Sequence, residues 1–116
     1  MEKLEKIKEG YIFRRAYKKG KSFVSPYVVV YLLKNRRNNI RLGITAGKKI
    51  GKAVARNRAK RVITAAFRQI SPQIPMGYDY VIVARTRILT VKSSIVAEYI
   101  LKLLNSADFD DISDKK

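Results

Sequence analysis

Seventeen lysines and arginines lie between Glu9 and Asp79, and no carboxylate interrupts them. The densest part begins in a glycine-bounded stretch, Gly47-Lys48-Lys49-Ile50-Gly51, and continues through Lys52, Arg56, Asn57, Arg58, Lys60, Arg61 and Arg68. A guanidinium can hold a phosphate through two parallel hydrogen bonds, and an Asn amide can donate to and accept from a base edge or a 2′-hydroxyl. A second group combines aromatic faces with charge. Phe13 and Tyr17 stand one helical turn apart, Lys18 follows, and Val29 and Tyr31 alternate along an apolar stretch. Flat rings beside a cation suit unpaired bases and their phosphates. The chemistry on offer is therefore anion recognition and stacking rather than bond making.

The residue types needed for bond making are missing. With no His and no Cys among 116 residues, the commonest general base near neutral pH and the thiolate ligands of zinc are absent. Glu2, Glu5, Glu9, Asp79 and Glu98 are scattered, whereas a two-metal nuclease needs clustered carboxylates. No catalytic residue and no metal held by the protein itself are expected.

Charge placement sharpens this reading. The chain carries +17, and residues 1–107 alone carry +19, because Asp108, Asp110, Asp111 and Asp114 crowd the last nine positions. Such one-signed charge repels itself in a compact state, and a polyanion relieves it through counterion release. One domain over 1–107 is expected, followed by an acidic, flexible tail over 108–116. No apolar run reaches the roughly 18–20 residues of a membrane span, and no apolar stretch follows Met1–Lys6 to make a signal peptide. A soluble cytoplasmic protein is the expectation.

Several elements are needed to position these groups. Gly10 to Lys19 reads as a helix that stops at Gly20, a C′ glycine. A strand starts near Tyr27 and runs to Leu33, with Pro26 before it. Residues 35–39 form a turn, and 41–46 alternate as the return strand of a hairpin. Lys52 to Ile70 is the strongest helix, closed by Ser71-Pro72. Tyr78 to Ala84 is a strand. Val91 to Leu104 is an amphipathic helix with Thr90 as its N-cap.

On the helix 52–70, Ala55, Ala59, Val62, Ile63, Ala66 and Ile70 share one arc, with Phe67 at its edge. Arg56, Asn57, Lys60, Arg61, Thr64 and Arg68 share the opposite arc, and Arg58 lies on the far flank of the apolar stripe. The basic arc lacks the Glu or Asp at i±4 that a purely solvated helix favours, so it reads as an anion-binding face. A lipid surface fits it poorly, because it has no large apolar side chain to insert. In strand 27–33 both faces are apolar. That pattern fits a strand covered on both sides, or a shallow cleft floored by Val29 and Tyr31 and walled by Phe13 and Tyr17.

The run from Arg41 to Arg61, Arg-Leu-Gly-Ile-Thr-Ala-Gly-Lys-Lys-Ile-Gly-Lys-Ala-Val-Ala-Arg-Asn-Arg-Ala-Lys-Arg, resembles the signature of the bacterial ribonuclease P protein subunit. Phe13-x-x-x-Tyr17-x-x-Gly20, the Val29 and Tyr31 strand, and Tyr80-Val-Ile-Val-Ala-Arg85 extend the likeness to roughly residues 8–104. The resemblance implies an α+β fold, a two-layer α/β sandwich with a four-stranded sheet, three helices and a left-handed parallel crossover. It implies two partners, a catalytic RNA subunit and precursor tRNA, and neither DNA nor membrane. It also implies removal of the 5′ leader, with magnesium held by the RNA. Carried over by position, Lys48, Lys49, Lys52, Arg56, Asn57, Arg58, Lys60, Arg61 and Arg68 become contacts to the catalytic RNA. Phe13, Tyr17, Lys18, Val29 and Tyr31 become contacts to the leader, which selects the cleft for the two-faced strand. The acidic tail lies outside the family pattern. An architectural RNA-binding protein would share the charge without needing the aromatic cleft, and a protein-only ribonuclease would cleave without any RNA subunit.

Overall fold

Tyr78–Ala84 is almost continuously apolar, and it takes the middle of the sheet. In a computed structural model that describes residues 4–35, 37–109 and 112, the elements in chain order are β1 (Leu4–Lys6), α1 (Gly10–Lys19), β2 (Lys21–Val24), β3 (Val28–Lys34), β4 (Ile40–Thr45), α2 (Ala53–Ile70), β5 (Tyr78–Ala84) and α3 (Ser93–Asn105). Short 3-10 turns at Lys48–Ile50, Ser71–Gln73 and Thr86–Thr90 join them. The five strands are ordered β1-β4-β5-β3-β2.

This order overturns the hairpin expected of β3 and β4. Strand β5 lies between them, antiparallel to β3 and parallel to β4. The connection from β4 through α2 to β5 is thus a parallel crossover. The sheet also has one strand more than the four implied. Both β1, parallel to β4, and β2, antiparallel to β3, are edge strands of three or four residues. So short a segment gives no resolvable alternation.

The sheet separates its side chains into two rows of function. Val28, Val30 and Leu32 of β3 and Tyr80 and Ile82 of β5 are fully buried beneath α2 and α3. From α2 come Ala59, Ile63, Ala66, Phe67 and Ile70, all buried. Phe67 is not at the edge of this stripe; it is wholly enclosed, edge-on to Tyr80 at 5.4 Å. Burial pushes the Tyr80 hydroxyl's pKa up, and the hydroxyl donates to the Pro75 carbonyl at 2.6 Å. On the opposite face a smaller cluster of Ile7, Ile12, Ala16 and Val81 seats α1.

Two helix ends differ from expectation. Thr90 does not cap α3: its hydroxyl donates back to Arg87 within the preceding 3-10 turn, and Lys92 holds the N-cap position. Gly20 ends α1 in extended rather than left-handed backbone (φ −73°). A glycine is needed there for space, since a Cβ would stand 2.5 Å from the Ala16 carbonyl oxygen and 3.1 Å from that of Leu32. Gly20→Ala is expected to cost about 1–3 kcal/mol of stability in urea unfolding, because backbone rather than a flexible side chain must move. A loss of under half a kcal/mol would mean the turn has slack. Beyond α3, Phe109 packs edge-on to Tyr78 at 5.0 Å and Ile112 is buried against the core. The tail expected to be flexible from residue 108 therefore returns to the body at these two positions; Asp110, Asp111 and 113–116 lie outside the described residues.

Candidate nucleic-acid interface

The crossover places α2 on the outside of the sheet with its apolar stripe inward, so the basic arc faces outward. Lys52, Asn57, Arg58, Lys60, Arg61 and Arg68 are all exposed, as are Lys48 and Lys49 in the 3-10 turn before the helix. Arg56 is the exception. It is half-buried, and its guanidinium donates to the Gly51 carbonyl at 2.9 Å, clasping the basic loop onto the first turn of α2. Thr64 also turns inward on its own helix, donating to the Lys60 carbonyl at 2.8 Å.

The arc forms one wall of a groove of about 520 Å³ that Asn57, Lys60, Arg61, Thr64 and Arg68 share with Lys6. Lys6 was not expected here. It arrives because β1 pairs with the outer edge of β4, and Leu4-Glu5-Lys6-Ile7 is too short to announce a strand. Arg58 lies off this groove, on the flank of α2 that faces α3.

The second group gathers on the α1 face of the sheet. Registers there run Tyr31–Val81–Gly43 and Val29–Val83–Thr45 across β3, β5 and β4. The Tyr17 ring stands edge-on to Tyr31 at 5.1 Å, and its hydroxyl lies 3.3 Å from the Thr45 hydroxyl. Tyr17 and Lys18 are exposed, while Val29, Tyr31 and Val83 are half-buried. Phe13 is half-buried because its ring lies over Gly43, where a Cβ would come within 2.8 Å of ring carbons. Part of its surface is thus committed to seating α1. Beyond the Val29–Val83 row, a gap of about 470 Å³ opens between Lys48, Lys49 and Arg85. Arg85 is fixed by donating to the Ser25 carbonyl at 3.0 Å. The sequence marks it only as the last residue of the Tyr80–Arg85 match, and nothing in its local pattern makes it part of a surface.

Among the described residues no three acidic side chains come together that could hold a metal ion. Asp79 is wholly buried in a network of its own, described below. No described helix is long and apolar enough to cross a membrane.

The α+β class holds, but helices cover both faces of the sheet, α2 and α3 on one and α1 on the other, rather than one face as a two-layer sandwich would have. An acid-free cationic helix on one face and an aromatic cleft on the other are the features of the RNA-binding class of protein. The chain belongs to the ribonuclease P protein family, whose sequence model, described as Ribonuclease P, matches residues 1–108. It is 48% identical over 80 residues to a ribonuclease P protein component of Clostridioides difficile, covering 68% of this chain and 70% of the relative. It is 40% identical over 103 residues to that of Caldanaerobacter subterraneus, covering 89% of each. Among solved structures, the RNase P protein from Thermotoga maritima matches with a TM-score of 0.78 at 34% identity, over 90% of this chain and 98% of that one. The Staphylococcus aureus RNase P protein matches with a TM-score of 0.74 at 32% identity, over 86% and 92%.

Proposed function

We propose that the chain binds the catalytic RNA of ribonuclease P through α2 and the basic loop before it, and holds the 5′ leader of precursor tRNA in the cleft beside α1. In this reading it supports endonucleolytic release of the leader while the RNA performs the chemistry in the cytoplasm. The observation that carries the reading is the separation of the two surfaces. Folded RNA meets a helix of phosphate-binding side chains, and a single strand meets rings on which bases can stack. In this reading magnesium is held by the RNA. The cleft is what an architectural RNA-binding protein would not need.

The direct test is processing of precursor tRNA at low magnesium, with and without the matching catalytic RNA. Cleavage is expected only when both are present, with the protein lowering the magnesium requirement. Cleavage by the protein alone would make it a protein-only ribonuclease, and RNA binding with no effect on processing would make it architectural.

The α2 contacts are separable by salt titration. Arg61→Ala should weaken catalytic-RNA binding and reduce the slope of log affinity against log salt by about one, with the melting temperature unchanged. Arg56→Ala should behave differently from its neighbour. Losing its bond to Gly51 costs about 1 kcal/mol of stability and loosens Lys48 and Lys49 as well. Identical profiles for the two variants would place both on the solvent-facing arc.

A further inference from the structure

Helix α2 is bounded by grooves on both flanks, and the reading above uses only the one toward β1. The other runs between α2 and the segment leading into α3, with a volume of about 580 Å³. Its floor is made by Val62, Leu89 and Val91, which are half-buried and packed on the core. Its rim carries Arg58, Arg61 and Lys92, all exposed, and among the described residues no carboxylate lines it. Arg61 and the small, exposed Ala65 form the crest that the two grooves share.

Three cations around an apolar floor suit a chain of anions joined by partly apolar links, which is a sugar–phosphate strand. Among the described residues no aromatic side chain lines this groove, so it offers bases no ring to stack on, unlike the cleft at Tyr17 and Tyr31. It therefore suits the backbone of folded RNA rather than an extended single strand. We infer that this groove holds a second backbone strand of the RNA subunit, so that the RNA straddles α2 with one strand on either side of the Arg61–Ala65 crest. The inference rests on the proposed binding of the RNA subunit by α2, and it adds Lys92, from outside the signature helix, to the contacts.

The test is equilibrium binding of the RNA subunit over a salt titration. Lys92→Ala should lower affinity severalfold and reduce the salt slope by about one. Lys102→Ala removes the same charge from the other end of α3, at a side chain that sits 5.6 Å from the Tyr99 ring, away from the groove. It should leave the slope unchanged. Equal effects of the two variants would show only general charge and overturn the inference. The chain contains no Cys, so single-cysteine variants can carry a hydroxyl-radical probe without background. A probe on Ser94→Cys should cut the RNA subunit at positions distinct from those cut by a probe on Thr64→Cys, on the other flank. No cuts from Ser94, or the same cuts from both, would overturn the straddled arrangement. Lys60→Ala separates the two levels of failure. If it weakens binding while Lys92→Ala does not, only the second strand is lost; if neither matters, the α2 reading falls with it.

Discussion

Asp79→Ala should destabilise the protein by about 3–5 kcal/mol, because it strands a buried cation. Asp79 sits in β5 with no exposed surface and receives Arg41 from β4 through two bonds, Nε to Oδ1 at 2.8 Å and the terminal nitrogen to Oδ2 at 3.0 Å. Asn35 donates to the same carboxylate at 2.9 Å. Hydrogen bonding to Asp79 raises the Arg41 pKa in the native protein; in Asp79→Ala that bond is gone, but an arginine side chain still keeps its proton, so the guanidinium stays charged. A double variant, Arg41→Met with Asp79→Leu, should recover most of the loss, since neither charge is then left unpaired. Urea unfolding of the two variants checks this. A loss of less than 1 kcal/mol in Asp79→Ala would mean that water reaches the site. The pair joins β4 to β5 across the crossover that carries α2, yet lies at the end of the sheet row away from Tyr17 and Thr45. The folded fraction of Asp79→Ala should keep its RNA affinity.

That network also shows where sequence reading stops. Asp79 was legible as a lone acid near the start of a strand, but its partner lies 38 residues away and is revealed only by register. The same holds for strand order. Helical elements announce themselves locally: α1 runs from Gly10 to Lys19 as its spacing predicts, and α2 begins one residue late, at Ala53 rather than Lys52. A strand's neighbour has no local signature. The turn at 35–39 reads as a hairpin, but its bonds go elsewhere. The Asn35 amide donates to the Gly77 carbonyl at 2.9 Å and Gly77 donates to Asn39 at 2.7 Å, so the turn is stitched to the start of β5. β5 can enter between β3 and β4 because both of its faces are apolar, a property shared by any central strand.

The candidate surfaces were legible to different depths for the same reason. The basic arc of α2 follows from helical period alone, and its exposure agrees except at Thr64 and at Arg56, whose bond to Gly51 depends on the backbone path of the loop. Lys6, Lys92 and Arg85 were missed as surface residues because each arrives through the ends or edges of other elements. Phe13 and Tyr17 looked equivalent one turn apart. The sheet distinguishes them: Gly43 leaves a hollow that takes the Phe13 ring, while Tyr17 stands over Thr45 with 42% of its surface open. Tyr17 and Tyr31, rather than Phe13, are the rings best placed to accept bases.

Replacing both tyrosines by Ala should therefore produce the largest functional effect. Each stacked base contributes roughly 1–3 kcal/mol, about ten- to hundredfold in affinity. Holoenzyme reconstituted with the double variant should lose that factor per base against precursor tRNA bearing a leader of several nucleotides. Mature tRNA has nothing in the cleft, so its affinity should barely change, and the ratio of the two affinities isolates the leader. Tyr31 is half-buried beside Val81, so truncation also costs some stability. The Phe variants at 17 and 31 keep the rings and give up only the exposed contact between the Tyr17 and Thr45 hydroxyls, so they should retain the ratio. Binding to the RNA subunit should survive in all of them, because the proposed contact lies on α2, across the sheet from α1. An unchanged ratio in the double Ala variant, with folding confirmed, would mean that Tyr17 and Tyr31 serve the packing of α1 and that the leader runs elsewhere.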